Sequence, residues 1–86
     1  MPPETVTVTV RFFAQIREAA GKDIVTWQVA NGLPLAELIA QIDTEYPSVK
    51  GPRKNALIVV NAQEVADDYR IQNNDEIALL PPFSGG

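Results

Sequence analysis

Apolar and polar residues alternate along residues 5–13, near the amino-terminal end of the chain. A period of two places successive side chains on opposite faces of an extended backbone, so this segment is predicted to be a half-buried β-strand. The residues expected on its buried face are Val6, Val8, Val10 and Phe12. Residues 14–20 are good helix formers and precede Gly21, which suits the left-handed conformation after a helix, so a short helix is expected there. A second strand is predicted over residues 23–29.

An amphipathic helix is predicted to begin at Pro34 and to end before Pro47. The pair Asn31 and Gly32 marks a turn, and Pro34 suits the first helical position because its missing N–H would be unpaired there in any case. Apolar residues then recur at the spacing of one helix face. They are Leu35, Leu38, Ile39, Ile42 and Tyr46, and the polar residues expected on the solvent side are Glu37, Gln41, Asp43 and Glu45.

Short strands and turns are predicted for the second half of the chain. Residues 48–55 contain glycine, proline and three basic side chains, and they are expected to form an exposed, solvated loop rather than a phosphate site. Residues 56–60 form an apolar run, typical of a strand that is covered on both faces or central in its sheet. A short edge strand over residues 64–66 and a final strand over residues 76–80 follow, the latter after a turn at residues 73–75.

The order of these elements predicts an α+β fold, in which a mixed sheet of four or five strands carries one main helix packed across one face. One amphipathic helix covers only one face of such a sheet, so the other face must meet water or a partner. We assign residues 1–80 to this domain and residues 81–86 to an extended carboxyl-terminal tail. The aromatic side chains of Trp27, Tyr46 and Tyr69 are expected to pack in the core or at its rim.

Composition and charge narrow the possible functions. With 86 residues, 45% of them hydrophobic, the chain has enough material for one globular domain. It has no cysteine and no histidine, which excludes a thiolate nucleophile, a zinc ribbon and the commonest general base, and we expect no metal site. The net charge of −4 has the wrong sign for a nucleic-acid binder. The sequence has neither an apolar run long enough to cross a membrane nor a signal-peptide pattern, so we expect a soluble cytoplasmic protein without a membrane partner.

The carboxyl-terminal segment carries the candidate chemistry. Pro81 and Pro82 fix φ and favour a stiff, extended segment, which would project the following residues away from the sheet. Gly85 and Gly86 have no side chains, so they can enter a narrow channel in another protein and allow the terminal carboxylate to reach a site that any Cβ would obstruct. Phe83 could anchor the tail in an apolar pocket at the mouth of such a channel. The simpler alternative is a frayed terminus.

Together these segments resemble the ubiquitin-like, β-grasp sulfur carriers. Residues 75–86 are similar to the ending of the small subunits of molybdopterin synthase. Residues 10–14 and 17–21 match the first strand and turn of that family, and residues 60–61 match the end of its central strand. One position departs from the pattern, because Asn74 stands where the family usually has glycine. Asparagine also tolerates positive φ, so we expect the turn to survive.

The resemblance implies a β-grasp fold and a reaction at the Gly86 carboxylate. A ubiquitin-activating-like adenylyltransferase would adenylate this carboxylate with MgATP, and sulfur from a sulfur donor protein would then replace AMP to give a thiocarboxylate. The thiocarboxylate would enter the large subunit of molybdopterin synthase and donate sulfur to cyclic pyranopterin monophosphate, with two carriers consumed for each dithiolene. The chain alone would bind no cofactor and would not be an enzyme by itself. A heterotetramer of two small and two large subunits is expected.

Docking to these partners is expected to use the open face of the sheet and the stem of the tail. If Ile77 and Leu79 point into the core, Leu80 points outward, and Phe13 lies on the face opposite Phe12 and could join it. The alternative is that Leu80 and Phe13 merely cap an edge of the core. The residues predicted to bind partners are Phe13, Leu80, Pro81, Pro82, Phe83, Ser84 and Gly85.

Two other functions remain open from the sequence. A carrier for thiazole synthesis or tRNA thiolation would share the chemistry of Gly86 and differ only in its acceptor, although the double proline favours molybdopterin. A ubiquitin-like interaction domain whose terminus is never activated would not need Gly86 at all.

Overall fold

A five-stranded sheet and two helices make up the computed structural model, which describes residues 4–81. The elements in chain order are β1 (Thr5–Phe12), α1 (Ala14–Ala20), β2 (Ile24–Ala30), α2 (Leu35–Glu45), β3 (Leu57–Val60), β4 (Gln63–Glu64) and β5 (Glu76–Leu80). Two 3₁₀ turns, Pro47–Val49 and Pro52–Asn55, connect α2 to β3.

The sheet is mixed, as predicted, with the strand order β2-β1-β5-β3-β4. Its first and last strands in sequence, β1 and β5, are central neighbours and run parallel. The other pairs, β1 with β2, β3 with β5 and β3 with β4, are antiparallel. The final strand of the chain is therefore held between two neighbours, and the backbone that leads into the tail starts from the interior of the sheet.

The core lies between α2 and one face of the sheet, and the predicted apolar faces supply it. The alternating residues of β1 and the stripe on α2 are all part of one cluster with Ile77 and Leu79 from β5. The aromatic rings form its rim, because the Tyr46 ring lies 5.7 Å from that of Phe12 and 6.0 Å from that of Trp27, measured between centroids. Trp27, Tyr46 and Tyr69 are all half-buried, which confirms core or rim packing. The opposite face of the sheet, called the open face below, carries no helix among residues 4–81.

The start of α2 differs from the prediction by one residue. Pro34 is the capping residue, with an extended backbone at φ −63° and ψ 144°, and the helix begins at Leu35. The first helical N–H groups bond outside the helix, because the N–H of Leu35 donates to the carbonyl of Tyr69 and that of Ala36 to the carbonyl of Asp67. The loop before β5 thus caps the helix, so the start of α2 depends on a segment more than thirty residues away.

The prediction of an exposed loop over residues 48–55 is wrong for Val49, which is buried, and for Pro52 and Arg53, which are half-buried. Val49 is fully buried, and the two 3₁₀ turns fold this segment back against the domain. Arg53 pairs with Asp43 through two hydrogen bonds, with its Nε 2.9 Å from Oδ1. This contact, together with the weaker opposing effect of burial, leaves the pKa of Arg53 raised. Asp43 was expected on the solvent side of α2, and it is half-buried because Arg53 covers it.

The shorter strands largely follow the sequence pattern. β3 has neighbours on both sides, so its apolar run reflects a central position in the sheet. Only Val60 is fully buried, which shows that β3 is not covered on both faces. The predicted edge strand appears as the two-residue β4, one position earlier than expected. Asn74 adopts φ 69°, as expected for the turn before β5.

Candidate functional site

The end of β5 positions the stem of the tail, which consists of Leu80 and Pro81. Two strand ladders hold β5 in place, one to β1 and one to β3. Ile77 and Leu79 are completely buried in the core, whereas Leu80 and Pro81 are half-buried. The period of two therefore places Leu80 on the open face, as predicted.

Four apolar side chains meet on the open face and form what we call the open-face patch. Leu57 is the cross-strand partner of Leu80, and Val59 is the partner of Ala78. Directly opposed residues in adjacent strands share a face of the sheet, so these four side chains lie side by side. The patch was only partly visible in the sequence, because a short apolar run does not reveal which of its residues face the core.

Phe13 extends the open-face patch beyond the end of β1. Phe12 pairs with Leu79, so the next residue along each parallel strand brings Phe13 beside Leu80. The backbone of Phe13 is extended, with φ −122° and ψ 151°, and its side chain therefore points away from that of the buried Phe12. Phe13 is half-buried. The structure thus brings together the two residues that the sequence nominated from distant segments.

Charged side chains border the patch. Arg11 is the cross-strand partner of Ala78, and its Nε lies 3.6 Å from a carboxylate oxygen of Glu76. Both side chains are about half exposed, at 46% and 50%, so the pair contributes little stability, at most about 1 kcal/mol. Glu64 stands opposite Val59 on β4 and is exposed. An apolar centre with a charged rim is the usual anatomy of a protein-binding surface.

A buried carboxylate fixes the start of β5. Asp75 is 4% exposed and accepts three hydrogen bonds, from Asn61 Nδ2 at 2.9 Å, from the Tyr69 hydroxyl at 2.8 Å and from the Gln72 N–H at 2.9 Å. The Asn61 Oδ1 accepts in turn from the N–H of Glu76. Burial, with smaller contributions from the hydrogen bond and the negative charge of Asp75, raises the pKa of Tyr69. We call this hydrogen-bonded group of Asp75, Asn61, Tyr69 and Gln72 the Asp75 clasp. It could not be predicted from the sequence, because its members are separated by turns that give no periodic signal.

The described residues provide a binding surface and no candidate metal site. Among residues 4–81, no cluster of three or more acidic side chains could hold a metal ion, and no helix is long and apolar enough to cross a membrane. The other predicted site residues, Pro82, Phe83, Ser84, Gly85 and Gly86, lie outside the described residues.

Comparisons with known proteins identify relatives that cover nearly the whole chain. The molybdopterin synthase sulfur carrier subunit of Chlamydomonas reinhardtii is 32% identical over 81 residues, which is 92% of this chain and 98% of that protein. A putative molybdopterin converting factor subunit 1 from Pyrococcus furiosus has a TM-score of 0.82 at 26% identity, covering 91% of this chain and 99% of that one. The chain also matches a complex of subunits 1 and 2 of the molybdopterin-converting factor from Helicobacter pylori, with a TM-score of 0.71, 30% identity and coverage of 94% and 100%.

The fold and the sequence lead to the same family. The mixed sheet with α2 across one face is the ubiquitin-like β-grasp fold that the resemblance in sequence implied. The ThiS family matches residues 10–86, from the middle of β1 to the terminal glycine. This chain therefore belongs to the ThiS family and is a relative of the sulfur carrier subunits of molybdopterin synthase.

Proposed function

We propose that this protein is the sulfur carrier of molybdopterin biosynthesis and acts through a thiocarboxylate at Gly86. The main structural support is the position of Leu80 and Pro81, which lie at the end of β5 beside an apolar patch. The 32% identity to a named carrier over 92% of the chain supports the same assignment. The protein would be a non-catalytic subunit that works in the cytoplasm.

The chemistry requires activation because a carboxylate is a poor electrophile. Its oxygen attacks the α-phosphorus of ATP, which forms an acyl adenylate and releases pyrophosphate. A persulfide sulfur on the donor protein then attacks the acyl carbon, so that the C–O bond to AMP breaks, a C–S bond forms and AMP leaves. A thiol of a partner protein then attacks the donor-side sulfur of the resulting acyl disulfide, which breaks the S–S bond, frees the thiocarboxylate and leaves a disulfide on the partners. The chain has no cysteine and no histidine, so partners would supply the MgATP site, the sulfur and the acid–base groups.

The contribution of this chain is to present the tail in a fixed relation to a docking surface. β5 is held by hydrogen bonds on both sides, and the clasp around Asp75 fixes its first residue. Proline at positions 81 and 82 restricts the backbone φ angles of the segment that follows Leu80. Docking of the open-face patch would therefore deliver the carboxylate to a defined place and reduce the entropic cost of aligning it.

The open-face patch would serve more than one partner in turn. Leu80 belongs to the patch and lies six residues before Gly86, so an enzyme that receives Gly86 in its active site would also contact Leu80 and Phe13. The activating adenylyltransferase and the large subunit of the synthase would therefore compete for the same surface. A complex of two small and two large subunits would then form after thiocarboxylation.

The test is reconstitution of molybdopterin synthesis. Thiocarboxylated chain, the large subunit and cyclic pyranopterin monophosphate should yield molybdopterin, whereas chain with an unmodified carboxylate or lacking Gly86 should yield none. A thiocarboxylated chain that is inactive with a large subunit competent for another carrier would contradict the proposal. It would then favour a carrier for a different acceptor, such as one of thiazole synthesis or tRNA thiolation.

A further inference from the structure

The outer edge of β2 has no strand partner among residues 4–81. β2 lies at the end of the sheet and pairs only with β1 in the described part of the chain. The N–H of Phe12 donates to the carbonyl of Asp23, and the N–H of Asn31 donates to the carbonyl of Glu4. Backbone hydrogen bonds between antiparallel strands alternate, so the N–H and C=O groups of the odd-numbered residues of β2 bond to β1. The N–H and C=O groups of the even-numbered residues point toward the free edge, and these residues are Ile24, Thr26, Gln28 and Ala30.

Edge strands usually carry a feature that prevents another strand from pairing with them. The common features are a charged side chain, a proline or a bulge, and each blocks or twists the free edge. β2 has the sequence IVTWQVA, with no charge and no proline over seven residues, and its register with β1 runs without interruption. Ile24 is 50% exposed, although it is a large apolar residue. This edge is therefore competent to accept a further strand.

A groove runs beside the free edge, between β2 and α2. One part, of about 540 Å³, is lined by residues 24–28 with Tyr46 and Glu45. A second part, of about 520 Å³, is lined by Trp27 and by residues of α2 that include Glu37, Gln41 and Glu45. An extended segment paired with β2 would place every second side chain in this groove, over the half-buried ring of Trp27.

The charged side chains that line the groove are mainly acidic, which favours a basic segment. Glu37 and Glu45 stand on the wall that α2 provides, and both are exposed. Lys22 lies at the end of the groove near the start of β2 and is the one basic residue among those that line it. A lysine or arginine side chain could lay its methylene stem on Trp27 and place its cationic head beside a carboxylate. A second copy of this chain fits poorly, because symmetric pairing of two β2 strands about Trp27 would bring two acidic helix walls together.

We propose that the free edge of β2 binds an extended, basic segment of a partner protein by strand addition, with its lysine or arginine side chains in the groove between Trp27, Glu37 and Glu45. This mode of recognition combines main-chain hydrogen bonds with pockets for alternate side chains. The surface lies on the far side of β1 from the tail, so it is separate from the carrier function proposed above.

A fluorescence titration tests the binding directly, because Trp27 is the single tryptophan of the chain. The probe is a capped peptide, acetyl-Thr-Lys-Val-Lys-Val-Lys-Thr-amide, and its control replaces each lysine with glutamate. We expect a saturable change of Trp27 emission with the lysine peptide and none with the glutamate peptide. Replacing Glu37 and Glu45 with glutamine should weaken binding by about threefold for each carboxylate, the range of exposed ion pairs.

Thr26→Pro separates strand addition from simple charge attraction. Proline at position 26 removes an N–H that faces the free edge and has no strand partner among residues 4–81, so the fold should persist while peptide binding falls at least about tenfold. Thr26→Val keeps the N–H and should bind within about twofold of the native chain. If Thr26→Pro fails to fold, the same loss is expected for the native chain with a peptide methylated at its edge-facing backbone nitrogens.

Three results would overturn the proposal. The first is the absence of binding by the lysine peptide at millimolar concentration, and the second is equal binding of the peptide by Thr26→Pro or of the methylated peptide by the native chain. The third is a dimer, detected by sedimentation, that Thr26→Pro dissociates and that the lysine peptide does not dissociate. Such a dimer would assign the edge to a second copy of the chain. The Thr26→Pro variant should retain sulfur transfer, so failure of this proposal is distinguishable from failure of the carrier function.

Discussion

Leu57 and Leu80 face each other across the β3–β5 ladder, on the side of the sheet that α2 leaves open. Leu80 belongs to the strand that continues into the tail, and Leu57 opens the strand beside it. Their contact lies at the end of β5, so the docking surface proposed above borders the segment that leads to Gly86. A partner that recognises this pair is already positioned to receive the residues that follow.

Replacing Leu80 with glutamate should weaken binding to the large subunit by at least about tenfold. The substitution would bury an unpaired charge in the contact, and desolvating that charge costs more than the lost apolar area. Thr5→Glu is the matched control, since Thr5 lies on the same face of the sheet at the other end of β1. Isothermal titration with both variants measures the difference, and unchanged affinity for Leu80→Glu would remove Leu80 from the interface.

Asp75→Asn should lower the free energy of unfolding by about 1–3 kcal/mol. The carboxylate accepts three hydrogen bonds, and an amide offers only one oxygen to the same donors. Asn61 cannot relieve the conflict by turning its amide, because its oxygen already accepts from the N–H of Glu76.

Urea unfolding measures this loss, and Asp23→Asn is the control. Asp23 has a side chain that is 73% exposed and pairs with Arg17 at the surface, so its change should cost less than about 1 kcal/mol. Equal effects of the two substitutions would show that the Asp75 clasp contributes nothing special to the fold.

The raised pKa of Tyr69 predicts a pH dependence of stability above its usual value of 10.0. The folded state favours the protonated phenol, so the contribution of this group is fully present below the pKa of the unfolded chain and is lost as pH rises through the folded pKa. Stability should therefore fall in alkaline solution. In Tyr69→Phe this part of the fall should be absent, and parallel alkaline unfolding curves for the two proteins would contradict the assignment.

Deleting Gly86 should abolish sulfur transfer and leave the stability of the domain unchanged. Within residues 4–81, every buried member of the core cluster precedes Leu80. The circular dichroism spectrum and the urea midpoint of the deletion variant should match those of the full chain. Retained sulfur transfer after the deletion, or with a tag fused after Gly86, would favour a ubiquitin-like interaction domain whose terminus is not activated.

The elements with a regular pattern could be predicted from the sequence. The alternation in β1 and the stripe on α2 identified their buried residues, because each period reports directly which side faces the core. The final strand was predicted with its observed bounds, Glu76–Leu80, since turn residues precede it and proline follows it. Phe13 and Leu80 were nominated on the same reasoning.

The features that were missed depend on contacts between distant segments. Val49 is a single apolar residue among prolines, glycine and basic side chains, so no period marks it as buried. Asp43 looked solvated because its partner, Arg53, lies in a segment that was expected to be loop. The place of Leu57 in the open-face patch follows from the register of β3 with β5, which the sequence alone does not reveal.

The intact mass of the chain, measured after incubation with MgATP, a ubiquitin-activating-like enzyme and a sulfur donor, decides whether Gly86 carries sulfur. We expect one oxygen to be replaced by sulfur and fragmentation to locate the change at Gly86. An unchanged mass, with an enzyme that thiolates another carrier under the same conditions, would contradict the carrier function.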